Sequence, residues 1–500
     1  MKLYNKILQL SVVTGCLFSG AGCTKDFTAI NTDHTLVTSD IIKPSLLFTG
    51  VQKNAIFSTY NTSIIAEYSG YYANQGSGVI FQNANWSDPF NSFYTSYIIN
   101  MAECVRLTAK DPKLINEHAM ARIFKVWLFQ MLTDMYGDVP YFQAALDMDA
   151  SVNQPRYDSQ KDIYTDMLKE LKEAVASLSA DATLPSFGAA DLMYSGSVDK
   201  WRRFGNSLRL RLAMRVRYAD AALAKQHITD LSGASFIDDN SLNAKLTTID
   251  GDNPGNRNPL MDDPTNPYPL WVSFTLTDNM KKLSDPRLPI FAVPATDGVS
   301  GYRGRPIAIT GTESVYTEST TAYLSYLFRT PAYPIIILNA AEVFFLKAEA
   351  GLAGLSSDDA QAMYTKGIQT SLQYYSVDQT ASDNYTGSAA GTLSGTDEQK
   401  TEQIIVQKWI ANFYEVYEGW AEFRRTGYPK IWTGNSLGST NGEVPRRLTY
   451  PLDEYTKNGD NVKAASSLLS GGDAYMSRMW WDAKPGLPFH HPKQGMFPPE

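Results

Sequence analysis

The sequence predicts an all-α protein, built as antiparallel helix pairs stacked into a helical-repeat scaffold and interrupted by one long irregular insert. Three observations predict it. Apolar residues recur at helical spacing through most of the 500-residue chain. Caps, Gly and Pro mark where those segments start and stop. Residues 236–334 are instead rich in Gly, Pro, Asn and Asp and hold no long periodic segment. Loops of that length in a compact protein are functional or irregularly folded.

The elements follow in order. Residues 44–57 and 62–74 read as two short helices, and 75–88 as a Gly/Asn/Ser loop. Residues 91–108 and 113–136 form a second pair; the latter is apolar nearly all round and so predicted central. The helix over 159–178 opens on Ser159 and Asp162, a variant capping box. It then carries Ile163, Tyr164, Met167, Leu168, Leu171, Ala174, Val175 and Leu178 at a 3.6-residue period. The helix over 199–219 has Trp201, Phe204, Leu208, Leu212 and Val216 on one side. Arg202, Arg203, Arg209, Arg211, Arg215 and Arg217 lie on the other. That face reads as an anion site or, more simply, as a solvated or salt-bridged surface. Helices resume at 335–352 and 358–374, before a polar loop at 376–397. A long helix is predicted over 403–427, with Ile405, Trp409, Phe413, Val416 and Trp420 on one stripe. Arg424 and Arg425 suit its C-terminal dipole, and Gly427 and Pro429 end it. Residues 434–500 read as an irregular tail.

The N-terminus reads as a processing segment, not as part of the fold. Lys2 and Lys6 precede an apolar stretch, and small residues then run into Cys23. Residues 1–22 are therefore a lipoprotein signal peptide, Cys23 the lipidation site and 23–43 a tether, leaving 44–500 as one domain. Cys16 is a rival lipidation site with too short an apolar region before it. Cys104 is left alone and reads as a small buried apolar residue. The net charge of −8 excludes a general nucleic-acid binder. No apolar run reaches the ~20 residues needed to span a bilayer.

Catalytic patterns are sparse. Gly434-Asn-Ser436-Leu-Gly438 fits G-x-S-x-G, followed by Asp453, Asp482, His490 and His491, but it lacks the strand and helix that a nucleophile elbow needs. The five His show no metal-ligand spacing, and no metal or cofactor is expected. Asp250, Asp252, Asn253, Asp262 and Asp263 offer oxygens for Ca²⁺ without an EF-hand spacing, and read as turn residues. Binding remains. Proteins that hold sugars combine aromatic platforms with amide, carboxylate and guanidinium groups at the rim. Two regions have that mix. Tyr71, Tyr72, Asn74, Gln75 and Trp86 lie in the first; Tyr268, Trp271, Tyr302 and Arg303 lie in the insert, with Tyr323 and Tyr326 near its end. Each aromatic reads equally as packing under a loop, and Trp86, in polar surroundings, is the favoured platform.

Six pieces in order resemble one family: Cys23-Thr-Lys-Asp-Phe with Ile30-Asn31-Thr32; Tyr136-Gly-Asp-Val-Pro-Tyr-Phe; Trp201-Arg-Arg-Phe-Gly-Asn-Ser-Leu-Arg-Leu-Arg; Ala340-Ala-Glu-Val-Phe-Phe-Leu-Lys-Ala-Glu-Ala; Glu415-Val-Tyr-Glu-Gly-Trp-Ala-Glu-Phe-Arg-Arg-Thr-Gly-Tyr-Pro; and Pro445-Arg-Arg-Leu-Thr-Tyr-Pro. Together they resemble the SusD/RagB family of outer-membrane nutrient-binding lipoproteins, and its SusD-like branch more closely. The resemblance implies degenerate tetratricopeptide-type helix pairs forming a right-handed scaffold, with the insert and loops as the ligand face. It implies a lipid-anchored cell-surface protein that binds oligosaccharide without catalysis. It also implies delivery to a SusC-like TonB-dependent transporter. The alternatives are a peptide-capturing RagB-type protein, a secreted glycoside hydrolase, or a structural lid that binds no ligand.

Overall fold

A computed structural model of the chain describes residues 42–60, 63–73, 88–144, 152–261, 270–308, 315–434, 440 and 442–499. From Pro44 onward the chain forms one compact unit. Helices dominate it. Helix α1 (Pro44–Tyr60) is followed by the short α2 (Ser63–Tyr68) and strand β1 (Tyr72–Ala73). Helices α3 (Asp88–Ser92) and α4 (Ile99–Thr108) are joined by a π-helical stretch, Phe93–Ile98. Then come α5 (Ile115–Tyr136), α6 (Gln160–Ser177), α7 (Val198–Arg215) and α8 (Ala221–Asp230). Successive helices pack as neighbours, α5 on α6 and α6 on α7, which is the tetratricopeptide-type pairing. Helix α5 is buried on nearly every side, as its all-round apolar sequence requires. At the start of α6, Ser159 Oγ accepts from the Asp162 amide at 3.1 Å. Cys104 is buried, with Sγ 3.4 Å from the Pro44 carbonyl.

The insert is less irregular than its composition suggests. It holds β2 (Ala244–Thr247), β3 (Trp271–Val272), α9 (Phe274–Lys282), α10 (Leu288–Phe291), β4 (Ala292–Val293) and β5 (Tyr323–Leu324). Residues Pro334–Leu338, expected to open a helix, form strand β6, antiparallel to β2. Their β-branched run suits a strand. Asn339 then caps α11 (Ala340–Leu352) by accepting from the Glu342 amide at 2.8 Å. Helix α12 (Ala360–Tyr374) packs back on α11. The expected polar loop at 376–397 contains a helix, α13 (Gln379–Thr386), capped by Asp378. The expected tail likewise contains α16 (Leu452–Lys457) and α17 (Gly459–Leu468).

The long helix expected over 403–427 is two helices, α14 (Asp397–Ala411) and α15 (Val416–Thr426). Between them Tyr414 takes a left-handed φ of 73°. Breaking a helix frees backbone groups that must find partners. Tyr71 supplies them from the far end of the chain. Its hydroxyl donates to the carbonyls of Trp409 at 2.8 Å and Asn412 at 3.0 Å. Asn339 Nδ2 donates to Asn412 Oδ1 and Glu415 Oε1, both at 2.8 Å. The apolar stripe survives the break because Trp409, Phe413, Val416 and Trp420 stay buried on both sides of it. Gly427 ends α15 as expected, at φ 82°, with its amide on the Phe423 carbonyl.

On the arginine face of α7, Arg209, Arg211 and Arg215 are buried and ion-paired, while Arg202 and Arg203 at its start are half-buried. Arg211 makes a bidentate pair with Glu342 at 2.7 and 2.5 Å. Arg215 pairs with Glu418 and, at 2.8 Å, with Glu422. Arg425 joins Glu349 at 2.7 and 2.8 Å and Glu422 at 2.9 and 2.6 Å. Lys408 Nζ lies 2.9 Å from Glu422. Helices α7, α11, α14 and α15 are thus tied through paired charges away from water. Burial by itself pushes the pKa values of Glu349, Glu418 and Glu422 up, but the neighbouring cationic groups outweigh it and hold all three below the ordinary glutamate value. Farther along α7, Arg209 Nε donates to His227 Nδ1 at 2.8 Å. Burial and Arg209 together push the imidazole down to about 4.

Removing one partner of a buried pair strands the others, at about 3–5 kcal/mol. Arg425→Met is therefore expected to lower unfolding free energy by that amount, read by denaturant titration. His227 is neutral in the folded chain and titrates near 6.5 when unfolded. Its contribution is present above pH 6.5 and lost as pH falls toward 4. The stability–pH slope across that window is expected to be shallower in His227→Gln by up to one proton, measured by thermal unfolding.

Candidate ligand-binding face

Four short strands bring the two aromatic-rich regions together. The sheet order is β1-β3-β5-β4, all antiparallel neighbours. Ala73 pairs with Trp271, Trp271 with Tyr323, and Tyr323 with Val293. Directly opposed residues share a face, so these four lie on one side of the sheet. Strand β1 ends one residue before Asn74, and β3 begins shortly after Tyr268. Asn74, Gln75, Trp86, Tyr268 and Cys23 themselves lie outside the described residues.

The segment carrying Tyr302 and Arg303 runs alongside β3. The Arg305 amide donates to the Val272 carbonyl at 2.9 Å, and the Phe274 amide to the Arg305 carbonyl at 2.8 Å. Gly304 permits this approach: a Cβ there would sit 2.2 Å from the Ser273 carbonyl oxygen and 2.4 Å from Thr277 Oγ1. Two arginines then lie over aromatic rings. The Arg305 guanidinium is 4.6 Å from the Trp271 ring centre, and that of Arg303 is 4.4 Å from Tyr316. Arg303 also donates to the Val315 carbonyl at 2.7 Å. Tyr302 and Arg303 are half-buried, as is Tyr323, whose hydroxyl donates to the Glu318 carbonyl. Tyr326, just beyond β5, is 71% exposed. The half-buried Tyr302 and Tyr323, the exposed Tyr326 and the half-buried Arg303 offer C–H-stacking faces and a charged donor, while Arg305 is 2% exposed and belongs to the packing.

Other expected members of the face are core residues. Tyr71 is fully buried, stacked on Trp409 with ring centres 4.8 Å apart and planes at 12°. Burial and the nearby Glu415 carboxylate push its hydroxyl far above the ordinary range, which keeps it a hydrogen-bond donor. Tyr72 and Trp271 are each 2% exposed. For these three the packing role describes their positions. Sequence reasoning missed Arg305 and Tyr316, and no local pattern marks either, because their partners lie across the insert.

The hydrolase arrangement does not assemble among the described residues. Asp482 is held by Arg446 at 2.5 and 2.6 Å and by Arg478. Asp453 pairs with Lys457 at 3.0 Å, and His491 lies 3.3 Å from Asp278. Ser436 falls outside the described residues, as do Asp262 and Asp263. No group of three or more His, Cys, Asp or Glu among the described residues is placed to hold a metal ion.

The fold is that of a helical-repeat scaffold whose insert supplies most of its short strands, with β1 joining them from near the start of the domain. The chain belongs to the SusD-like family described as "Starch-binding associating with outer membrane", which it matches over residues 36–451. That is a family of carbohydrate-binding proteins associated with the outer membrane. No curated protein matches the chain. Among solved structures it is similar to a chitin-binding protein, with a TM-score of 0.79 and 27% identity over 88% of this chain and 100% of that one. It is also similar to a chitin-binding SusD homologue from Flavobacterium johnsoniae (TM-score 0.75, 26% identity, 89% of this chain and 98% of that one). A SusD homologue from Bacteroides fragilis aligns with a TM-score of 0.75 and 25% identity, over 89% of this chain and all of that one. Among the described residues no helix is long and apolar enough to cross a membrane.

Gly304→Ala forces a methyl into the Ser273 carbonyl. Overpacking of this kind costs about 1–3 kcal/mol. The variant is expected to lose that much stability and to expose the Arg305 amide, read by denaturant titration and amide exchange.

Proposed function

We propose that this chain is a lipid-anchored surface protein that captures oligosaccharide and passes it to a SusC-like TonB-dependent outer-membrane transporter. Residues 1–22 are removed as the signal peptide. Cys23 carries the lipid, residues 23–43 are the tether, and residues 44–500 are the binding domain with its insert at 236–334. Two acyl chains make a stable anchor, since each buried methylene contributes ~0.8 kcal/mol. The observation that carries the reading is the family match over 36–451, joined to a sheet that sets arginines and half-exposed aromatics beside both candidate regions.

The ligand face is proposed to comprise Asn74, Gln75, Trp86, Tyr268, Tyr302 and Arg303, with Trp86 as the main stacking platform. The buried Trp271 holds the Arg305 guanidinium over its ring, on the segment that also carries Tyr302 and Arg303. Because two similar structures are of chitin-binding proteins, N-acetylglucosamine oligomers are the first glycans to offer. The chain is proposed to bind without catalysing a reaction.

A glycan and peptide array on soluble residues 24–500, with product analysis of every hit, tests this. Binding of one glycan class without cleavage is expected. Trp86→Ala is expected to weaken it at least tenfold, about 1.4 kcal/mol, with an unchanged circular dichroism spectrum. Cleaved products sink the binding-only reading, and peptide hits alone move it to a RagB-type protein.

A further inference from the structure

We propose that the C-terminal segment 489–497 is a strap that positions Arg303 of the ligand face together with the buried Arg305 beside it, with Gln494 and Phe497 as its positioning residues. The proposal rests on the ligand-face reading above. Its physical basis is two separate routes from the strap to Arg303 and Arg305.

The first route runs through backbone. The Gln494 side chain clamps Thr433, accepting from its amide at 3.1 Å and donating to its carbonyl at 3.1 Å and hydroxyl at 2.6 Å. Trp432 Nε1 donates to the Lys493 carbonyl at 2.7 Å. Thr433 in turn bridges Ile307 in parallel, and the Gly434 amide donates to the Ile307 carbonyl at 3.1 Å. Ile307 lies two residues from Arg305, on the same stretch that runs along β3.

The second route runs through rings. Phe274, Tyr316 and Trp432 form a small apolar cluster separate from the main core. The strap closes over it. The His491 ring meets Phe274 edge-on at 5.6 Å, the Lys493 ammonium lies over the same ring at 5.6 Å, and Phe497 meets Tyr316 at 5.8 Å. Tyr316 also carries the Arg303 guanidinium 4.4 Å from its ring centre, and its carbonyl accepts from Arg305 Nη1 at 2.9 Å. A guanidinium over a ring is oriented by the ring's quadrupole, so where Tyr316 sits decides where Arg303 points.

Phe497 is 43% exposed, and Gln494 is half-buried. Truncating Phe497 changes global stability little, whereas Gln494→Ala also leaves polar groups of the buried Thr433 without their partner. What they fix is local, which separates a positioning role from a core role.

The test is the double variant Gln494→Ala/Phe497→Ala, followed first by amide exchange without ligand. The amides of Val272, Arg305 and Ala322 bond across the ligand face, to Ala322, Val272 and Arg303 respectively. They are expected to exchange at least tenfold faster, while amides in α11 and α12 hold. Affinity for the best glycan of the array is expected to fall at least tenfold, with Phe497→Tyr alone retaining it. Wild-type exchange at those three amides overturns the proposal, and so does equal loosening of α11 and α12. If the wild-type protein binds no glycan, the ligand reading falls and the exchange result still decides the strap.

Discussion

Everything in this structure hangs on charges that are out of water. Arg211, Arg215 and Arg425 are almost wholly buried, and each is met by carboxylates from another helix. Such pairs add little net stability over an apolar core of the same shape, because desolvation offsets much of the attraction. What they add is specificity. A helix that slides by one turn leaves a guanidinium facing hydrocarbon, which is far worse than a misplaced leucine. Apolar stripes alone allow many registers for α7, α11, α14 and α15; the charges leave one.

This explains why the recognisable words of the sequence fall where they do. Arg211 and Arg215 are four apart, Glu342 and Glu349 seven apart, and Glu415, Glu418, Glu422 and Arg425 step by three, four and three. Each set occupies one helical face. The complementary spacing was legible in the chain, and it could have told a paired interior from a solvated surface. An arginine-rich face on a helix whose opposite face is apolar invites the surface reading, and only opposed acidic faces elsewhere correct it.

Other features were legible in proportion to how local they are. The helix at 159–178 depends on its own cap and stripe, and it appears with shifts of one residue. The end of α15 depends on Gly427 alone, and it also appears. The break before Val416 depends on Tyr71 and Asn339, more than seventy residues away, and periodicity is blind to it. The candidate ligand face is less local still. Its strands are two residues long, too short for alternation to show, and their pairing joins residues near 72, 271, 293 and 323. Composition marks the regions, but not which rings turn inward. Tyr71 and Trp271 look like Tyr302 on paper, and differ from it only in what covers them.

The span of the charge network has a consequence for how the chain comes to be folded. Arg215 and its partner Glu422 are separated by 207 residues, and Arg211 and Glu342 by 131. Contacts between distant segments form late, since loop closure must precede them. Until residues near 415–425 arrive, Arg211 has Glu342 but Arg215 lacks Glu418 and Glu422, two of the carboxylates that meet it in the finished fold. The N-terminal helix pairs are thus kept from committing to a compact state before the last signature segment is present. An interrupted chain remains open and recognisable as unfinished, and completion of the scaffold becomes a single late event rather than a gradual one.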